Sequence, residues 1–287
     1  MTTPSTPNPG TRRPLMPLDD ARANLLQRVT PLAATEELPT FEADGRVLAQ
    51  DLISGLQVPP LDNSAMDGYA VRLADVIEAG VVLPVSQRIA AGHAAEPLRP
   101  GPCARIFTGA PVPEGADAVV MQEDTRDVGG DMHAVHIDAV PPVGQWIRRS
   151  GEDVTRGATV LQRGQRLSPA SLGLAASLGL AKLSVVSRPR VALFSTGDEL
   201  VMPGEVAPAD MKPGAIYNAN RFFLRTLLQR LGCEVSDLGI VPDSREKTLA
   251  ALKSAADHHD LILTSGGVSV GEEDHIKPAV QELGSLD

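Results

Sequence analysis

The 287-residue sequence is poor in aromatic residues, in cysteine and in long hydrophobic runs. Aromatic side chains make up 3% of the chain, too few for the stacking platform that holds single-stranded nucleic acid. No apolar run approaches the length of a membrane-spanning helix. The two cysteines, Cys103 and Cys233, lie far apart without a metal-ligand spacing. We therefore predict a cytoplasmic protein with two partly buried thiols.

Positive charge is also scarce, because the formal net charge is −10 at pH 7. Binding of nucleic acid needs a basic face, so we expect neither a nucleic-acid nor a membrane partner. An anionic small substrate would need a local basic group or a metal. Residues 1–14 are rich in Pro and Thr and lack the apolar core of a signal peptide, which predicts a disordered tail. The length suits two or three domains.

Apolar spacing predicts a helix on either side of a β-rich region. Residues 19–29 have helical spacing after an aspartate cap, and residues 168–180 begin with Ser168 as a cap and proline at the first helical position. Between them, residues 51–142 contain short apolar runs broken by Pro and Gly about every ten residues, which is typical of short strands and turns. The runs are YAV, PVSQRI, ARIF, AVVMQ and AVHI. The apolar face of the first helix comprises Ala21, Leu25, Leu26 and Val29.

From residue 189 onward, strands and helices alternate. The continuous apolar run 190–195 is typical of a strand buried on both faces. It is followed by a helix over 220–232, a strand over 234–241, a helix over 244–259 and a strand over 261–265. This β-α-β-α-β order predicts a parallel sheet covered by helices on both sides.

Acidic residues follow each of these three strands. Asp198 and Glu199 come after the first strand, Asp243 after the second and Asp274 after the third. Ligands bind beyond the carboxyl ends of parallel strands, so these acids are expected at one edge. The last loop is rich in Gly and Ser, whose donors can cradle a phosphate, with Mg²⁺ between phosphate and carboxylates. The alternatives are a tight turn, helix caps and a solvated rim.

Two further stretches are dense in polar residues. Residues 59–72, PPLDNSAMDGYAVR, contain Asp62 and Asp67 beside Asn and Ser, a pattern that also forms ordinary turns. Residues 148–154, RRSGEDV, place two arginines just before two acids, and a surface ion-pair cluster accounts for this pattern.

Eight motifs together resemble one family. DNSAMDGYAVR, RIFTGAPVPEGADAVVMQED, IRRSGEDV, ALFSTGDEL, IYNANR, LGCEV, LGIVPD and SGGVSVGEEDHIK occur here in the order found in the MoeA family. That family comprises molybdopterin molybdenumtransferases and is related to the E domain of gephyrin. The resemblance runs from about residue 15 to the end. It implies an α/β plus β fold class: a multidomain, elongated protomer with a MogA-like doubly wound α/β domain and a small β-rich domain.

The resemblance also implies a domain arrangement. Residues 15–50 and 143–187 would form an N-terminal, linking dimerisation domain, 51–142 the β-rich domain and 188–287 the molybdopterin-binding α/β domain. The family continues with a Lys-Pro-Gly-Lys-Pro stretch, a Gly-Leu-Pro-Gly-Asn-Pro loop and a C-terminal β domain. We therefore expect the α/β domain to be incomplete and the C-terminal β domain to be absent.

The function implied is Mg²⁺-dependent insertion of molybdate into adenylylated molybdopterin with release of AMP. The resemblance implies a homodimer with a site shared between protomers, and the molybdopterin-adenylating enzyme is a candidate partner. A non-catalytic molybdopterin-binding or scaffold module is the alternative, and it would retain nucleotide without hydrolysing it. A Mg²⁺-dependent hydrolase of free nucleotides is a third hypothesis.

Functional residues of the family can be matched position by position. The resemblance implies that Asp67, Thr108 and Asp153 position molybdate or the pterin end, while Lys277 neutralises charge on the pyrophosphate. His275 departs from the pattern, because the family often has tyrosine there. Glu199 is also matched as a catalytic residue. The implied metal ligands are Glu199, Asp243 and Asp274. The implied phosphate cradle comprises Ser265, Gly266, Gly267, Ser269 and Gly271.

Overall fold

The chain folds into two compact units. A computed structural model describes residues 16–128, 133–267 and 275–285. The β-rich unit is Thr35–Val186, and the α/β unit combines Met1–Ala34 with Ser187–Asp287. Within the described residues no helix is both long and apolar enough to cross a membrane. The domain boundaries predicted from the sequence stay predictions.

The predicted helix near the N-terminus is confirmed as α1 (Leu18–Arg28). The predicted aspartate cap is wrong, because Pro17 occupies the cap position and makes no side-chain cap bond. The two aspartates instead lie in the first turn, where the helix dipole favours negative charge. The apolar face predicted for α1 is exposed, with 68% of Leu25 and 65% of Leu26 accessible.

Short strands dominate the β-rich unit, as the interrupted apolar runs predicted. The strands are β1 (Thr35–Pro39), β2 (Leu52–Ile53), β3 (Asn63–Ser64), β4 (Gly68–Val71), β5 (Val81–Ile89), β6 (Cys103–Ile106), β7 (Ala118–Met121), β8 (Thr125–Asp127), β9 (Ala134–Ile137), β10 (Ile147–Arg148), β11 (Thr159–Leu161) and β12 (Lys182–Val186). The helix α2 (Pro169–Ser177) begins where Ser168 accepts a hydrogen bond from the Ser171 N–H, which confirms the predicted cap. Turns of 3₁₀ helix cover Thr40–Glu42, Leu73–Asp75 and Gln122–Asp124.

A six-stranded sheet in the order β7-β4-β6-β5-β9-β8 forms the larger part of this unit. Successive side chains of a strand point to opposite faces, and the sheet has an apolar cluster on each. Val71 and Cys103 belong to one cluster, while Ala70 and Ile106 belong to the other. Burial raises the pKa of the Cys103 thiol to about 12, as expected of an unreactive buried thiol.

A separate cluster packs α2 against two strand pairs. β1 pairs with β12 and β2 pairs with β11, both antiparallel. The buried side chains of Leu48, Ala175, Leu183 and Val185 fill the space between them. This cluster closes the β-rich unit on the side of its first and last strands.

The α/β unit follows the predicted alternation closely. Its strands are β13 (Arg190–Thr196), β14 (Leu200–Val201), β15 (Ile216–Tyr217), β16 (Glu234–Val241) and β17 (Leu261–Ser265). Its further helices are α3 (Ala219–Leu231), α4 (Arg245–Ala256) and α5 (Ile276–Leu283), and a 3₁₀ turn covers Pro208–Asp210.

The three long strands form a parallel sheet in the order β16-β13-β17. β13 lies in the centre, which is why its residues 191–195 are buried. The chain passes from β13 to β16 in one direction and back across β13 to β17 in the other. Right-handed crossovers then leave α3 and α4 on opposite faces of the sheet. Phe194 packs with apolar residues of α4 and α5. The predicted β-α-β-α-β unit is confirmed.

Candidate functional site

The carboxyl ends of β16, β13 and β17 meet at one edge of the α/β unit. Ser195 of β13 lies opposite Ile240 of β16 and Ser265 of β17 in the parallel register. The connection after β13 runs to one side of that strand and the connection after β16 runs back to its other side. The edge is therefore a topological switch point, where ligands bind in open α/β sheets.

Two aspartates tie the loops at this edge together. The Asp198 N–H donates to Asp243 Oδ2, and the Asp243 N–H donates to Asp198 Oδ1, each at 3.2 Å. Each carboxylate thus fixes the backbone of the other loop. The family match selected Glu199, which is exposed beside this pair. A Cβ atom at position 197 would overlap the Glu199 carboxylate, so Gly197 is what allows that side chain to lie over the loop.

The loop after β17 approaches β13 closely. Gly266 and Gly267 have φ values of 103° and 70°, in the left-handed region that favours glycine. A Cβ atom on Gly266 would lie 2.9 Å from the Thr196 carbonyl oxygen. Beside this turn, Asn220 Nδ2 donates to Ser265 Oγ at 3.1 Å. The two glycines therefore bring the backbone of the loop against the end of the central strand.

Ser195 places a buried hydroxyl at the same edge. The residue is 0% exposed, and its Oγ has no hydrogen-bond partner among the described residues. Buried polar groups are nearly always hydrogen-bonded, because an unpaired one costs free energy. Among the described residues, the Ser195 hydroxyl is therefore an unpaired donor buried one residue before the end of β13.

Some predicted site residues cannot be placed in this geometry. Ser269, Gly271 and Asp274 lie outside the described residues. Lys277 is half-buried in the first turn of α5 and takes part in an interaction there. In the part of the chain that is described, no group of three or more His, Cys, Asp and Glu side chains is arranged to hold a metal ion.

In the β-rich unit, Asp67 and Thr108 form a tight pair. Asp67 Oδ1 accepts the Thr108 backbone N–H at 2.8 Å and the Thr108 hydroxyl at 2.7 Å. These two bonds, aided by the positive charge of Arg105, hold the pKa of the Asp67 carboxyl below its usual value. Asp67 is therefore an ionised, oriented carboxylate at neutral pH.

Asp153 belongs to the ion-pair cluster that the sequence predicted. Arg148 Nη2 donates to Asp153 Oδ1 at 2.6 Å, and its Nε lies 3.6 Å from Glu152 Oε1. These carboxylates raise the pKa of Arg148. Across residues 16–128 and 133–267, no hydrogen bond links Asp153 to the Asp67–Thr108 pair. The structure thus joins two of the three matched residues.

Asp62 also has a defined contact. It accepts the Ser150 N–H at 2.8 Å and a bond from Arg149 Nη1 at 2.6 Å. The backbone bond first, and then Arg149, lower the pKa of the Asp62 carboxyl. This carboxylate fixes the RRSGEDV loop, a role beyond the simple turn that the sequence predicted.

Sequence reasoning missed Arg105 beside the Asp67 site. Arg105 Nη1 donates to the Gly68 carbonyl oxygen at 2.9 Å. The Arg105 guanidinium carbon lies over the rings of Tyr69 and Phe107, at 5.1 and 4.6 Å from the ring centroids. The available signal was the ARIF run, in which Arg105 stands between two apolar residues of a strand and so points to the face opposite to theirs.

Two family models match this chain, one in its N-terminal part and one in its C-terminal part. Residues 16–179 match the family model described as "MoeA N-terminal region (domain I and II)", and residues 192–287 match "Probable molybdopterin binding domain". A molybdopterin molybdenumtransferase of Haemophilus influenzae is 42% identical over 275 residues, 95% of this chain and 66% of the relative. Molybdopterin molybdenumtransferase 2 of Mycobacterium tuberculosis is 46% identical over 87% of this chain and 60% of the relative. The chain therefore spans less than two thirds of these relatives.

A solved structure extends the likeness to the fold. The crystal structure of a molybdopterin biosynthesis moeA protein from Pyrococcus horikoshii aligns with a TM-score of 0.81 at 32% identity. The alignment covers 88% of this chain and 66% of that protein. This likeness confirms the predicted α/β plus β fold class.

Proposed function

Since the chain belongs to the MoeA family, we propose that it acts in molybdenum cofactor biosynthesis as a molybdopterin molybdenumtransferase. Its substrates would be molybdate and adenylylated molybdopterin. The two dithiolene sulfurs would bind the molybdenum, and one molybdate oxygen would leave with their two protons as water. A second water would cleave the phosphoanhydride bond in a Mg²⁺-dependent step, so that AMP and the molybdenum-loaded molybdopterin each leave with one phosphate. Because the chain spans less than two thirds of its relatives, the activity is proposed for it rather than transferred.

The observation that carries this proposal is the edge of the α/β sheet where the three long strands end. Asp198 and Asp243 fix two strand-end loops against each other, and the Gly266 turn after the third strand lies against the end of β13. Such an edge presents carboxylates and backbone donors to one ligand, which suits a phosphoanhydride.

The donor set at this edge fits Mg²⁺. The ion prefers oxygen ligands and is commonly held by one or two carboxylates together with substrate phosphates and water. Asp243 and Glu199 supply such carboxylates from loops at neighbouring strand ends, and we assign them as ligands. Asp274 is proposed as a third ligand from its sequence position alone. When bound, the ion would reduce the negative charge on the phosphate oxygens.

The chain's own residues would hold the phosphates in place. Ser265 is half-buried at the end of β17, and its hydroxyl would donate to a phosphate oxygen. Gly266 and Gly267 allow the backbone to approach, and Ser269 and Gly271 extend the proposed cradle. Lys277 would stabilise charge that develops on the pyrophosphate as the bond breaks.

The Asp67–Thr108 pair would orient the other end of the substrate. An ionised carboxylate accepts hydrogen bonds from ring N–H groups, so Asp67 suits the pterin end better than the molybdate anion. Thr108 holds the carboxylate in one orientation. Asp153 would act with Arg148, whose charge suits an oxyanion such as molybdate.

A homodimer with a site shared between protomers is part of the proposal. The exposed apolar face of α1, with Leu25 and Leu26 uncovered, supports a protein partner on that helix. The molybdopterin-adenylating enzyme would supply the substrate and is the proposed hetero-partner. We place the protein in the cytoplasm, where thiols such as Cys233 stay reduced.

The test is release of AMP from adenylylated molybdopterin, with and without Mg²⁺, by Asp243→Asn. Loss of this carboxylate should lower Mg²⁺-dependent release by at least about tenfold, the lower end of losses at metal sites. Asp257→Asn is the matched control, because Asp257 is an exposed acid at the far end of α4. Thermal unfolding should be unchanged in both variants.

The outcomes separate the alternatives. Equal AMP release by Asp243→Asn and wild type would remove Asp243 from the metal site. Tight binding of the substrate without AMP release by the wild-type chain would favour the non-catalytic binding module. Turnover of free nucleotides without a pterin would favour a general nucleotide hydrolase.

A further inference from the structure

A cavity lies on the β-rich unit, on the six-stranded sheet. Its volume is about 400 Å³, and Tyr69, Val85, Arg88, Arg105 and His133 contribute to its lining. Small-molecule sites commonly measure about 300–1,000 Å³. The cavity is therefore large enough for a small ligand, and it contains no residue of the strand-end site proposed above.

Two arginines stand side by side in this cavity. Arg105 of β6 is the register partner of Tyr69 on β4 and of Arg88 on β5. Like charges at opposed positions of neighbouring strands repel each other and destabilise a sheet. The ring of Phe107 lies against both guanidinium groups, at 4.4 Å from Arg88 and 4.6 Å from Arg105. The ring offsets part of the repulsion, since its face attracts cations.

Arg105 is held firmly in this arrangement. Besides its bond to the Gly68 carbonyl oxygen, Arg105 Nη2 donates to Gln122 Oε1 at 2.7 Å. The stacked rings of Tyr69 and Phe107 further restrict the guanidinium. A positive charge that is already ordered loses little conformational entropy when a ligand binds.

Arg88 presents the more accessible charge. The residue is exposed, and across residues 16–128 and 133–267 no carboxylate forms an ion pair with it. Asp127 also lines the cavity but has an interaction of its own, and it compensates one positive charge at most. Among the described residues, the lining therefore keeps a net positive charge in a chain whose formal charge is −10.

We propose that this cavity binds a small molecule that carries a phosphate group, with the phosphate between Arg88 and Arg105. Guanidinium groups match tetrahedral oxyanions through paired charge-assisted hydrogen bonds. A dianion between the two cations would remove the repulsion that the strand register creates. The cavity exceeds the size of a free oxyanion, and Tyr69, Val85 and Ala134 offer an apolar wall to the rest of the ligand.

This site can be tested on the whole chain by NMR of the arginine side chains. Titration with glycerol 3-phosphate at constant ionic strength should shift the Arg105 Nε–Hε resonance and saturate. Arg88→Gln should weaken binding by at least about tenfold, the loss expected when a charge-assisted bond is removed. The control Arg99→Gln removes an exposed arginine from the loop before β6 and should leave binding unchanged.

Inorganic phosphate and molybdate at the same concentration distinguish a phosphate-bearing molecule from a free oxyanion. The proposal requires the phosphomonoester to bind more tightly than either ion. Equal affinities for the phosphomonoester and the free ions would contradict the proposal of an organic ligand. A chemical shift that changes linearly without saturating, or unchanged binding by Arg88→Gln, would contradict the site itself. The titration reads the Arg105 resonance and needs no turnover, so its outcome is distinguishable from the outcome of the AMP-release test.

Discussion

The Asp67 carboxylate receives two hydrogen bonds from Thr108 through a single oxygen, Oδ1, at 2.8 Å from the backbone N–H and 2.7 Å from the hydroxyl. The two residues are 41 positions apart, just before β4 and just after β6. This pair fixes the rotamer of Asp67 and leaves Oδ2 for another donor. Thr108 is accordingly a positioning residue for the carboxylate.

Thr108→Val should raise the pKa of Asp67 toward its usual value of about 3.9. The folded-state pKa is lowered, first by the Thr108 backbone bond and then by its hydroxyl. The substitution removes the hydroxyl donor, so the carboxylate is less favoured and protonates at higher pH. A ¹³C NMR titration of the Asp67 carboxyl measures the shift. Thr125→Val is the control, because that hydroxyl donates to the Gln122 carbonyl oxygen instead. An unchanged Asp67 titration would contradict the role of the hydroxyl.

The elements of the α/β unit could be predicted because their signals are local. A buried central strand needs a continuous apolar run, and β13 has one; a helix that ends at glycine needs a left-handed residue, and Gly232 has a φ of 94°. The strand-end edge followed from topology alone. The exchange of bonds between Asp198 and Asp243 did not, because it depends on how two loops meet in space.

The β-rich unit was less predictable from the sequence than the α/β unit. Its strands were predictable from the short apolar runs broken by Pro and Gly, but their pairing was not, because β5 and β6 pair in parallel within an otherwise antiparallel sheet. That pairing is what puts Arg88 beside Arg105. The repulsion between the two arginines could not be predicted from the sequence, because a long connection separates them and no local pattern shows that they become neighbours.

Gly68→Ala should destabilise the β-rich unit by about 1–3 kcal/mol, the usual cost of overpacking. A Cβ atom there would overlap the Val120 carbonyl of the neighbouring strand, and backbone in the middle of a sheet cannot give way. Urea unfolding followed by the fluorescence of Trp146, the single tryptophan, measures the change.

Gly173→Ala is the matched control for that prediction. Gly173 lies inside α2 with nothing within 4 Å of its Cβ position, so alanine should stabilise the helix by about 0.5–1 kcal/mol. The two Gly-to-Ala changes are expected to have opposite signs. The same sign for both would mean that close approach to Val120 does not decide the effect at Gly68.

Asp260→Asn should lower the melting temperature in a pH-dependent way. Arg190 donates to this carboxylate from its backbone N–H at 2.8 Å and from Nη2 at 2.9 Å, which lowers the pKa of Asp260 to about 2. A lowered pKa contributes stability that is present above the usual value and is lost as pH falls toward 2. The gap between wild type and variant should therefore be largest at neutral pH and shrink below about pH 4. Circular dichroism melts across this range test it, with the exposed Asp210→Asn as control. A gap that does not change with pH would contradict the ion pair.

Gly266→Ala should weaken ligand binding at the sheet edge without unfolding the sheet. Its backbone has a φ of 103°, and an added Cβ would lie 2.8 Å from Thr196 Oγ1 and 2.9 Å from the Thr196 carbonyl oxygen. The loop would have to move away from the end of β13, and the Ser265 hydroxyl with it. Binding of AMP, measured by calorimetry with Mg²⁺ present, should weaken by at least about tenfold, as expected when a site is displaced by about 1 Å.

The control that isolates this effect is Gly204→Ala. Gly204 also has a left-handed φ, 91°, but nothing lies within 4 Å of its Cβ position. Both substitutions strain the backbone, so any loss of stability common to the two comes from φ, which costs about 1–2 kcal/mol for a residue with a side chain. Loss of AMP binding in Gly266→Ala alone would then come from the contact with Thr196. Equal loss in both variants would mean that backbone strain, rather than the close approach of the loop to β13, shapes the site.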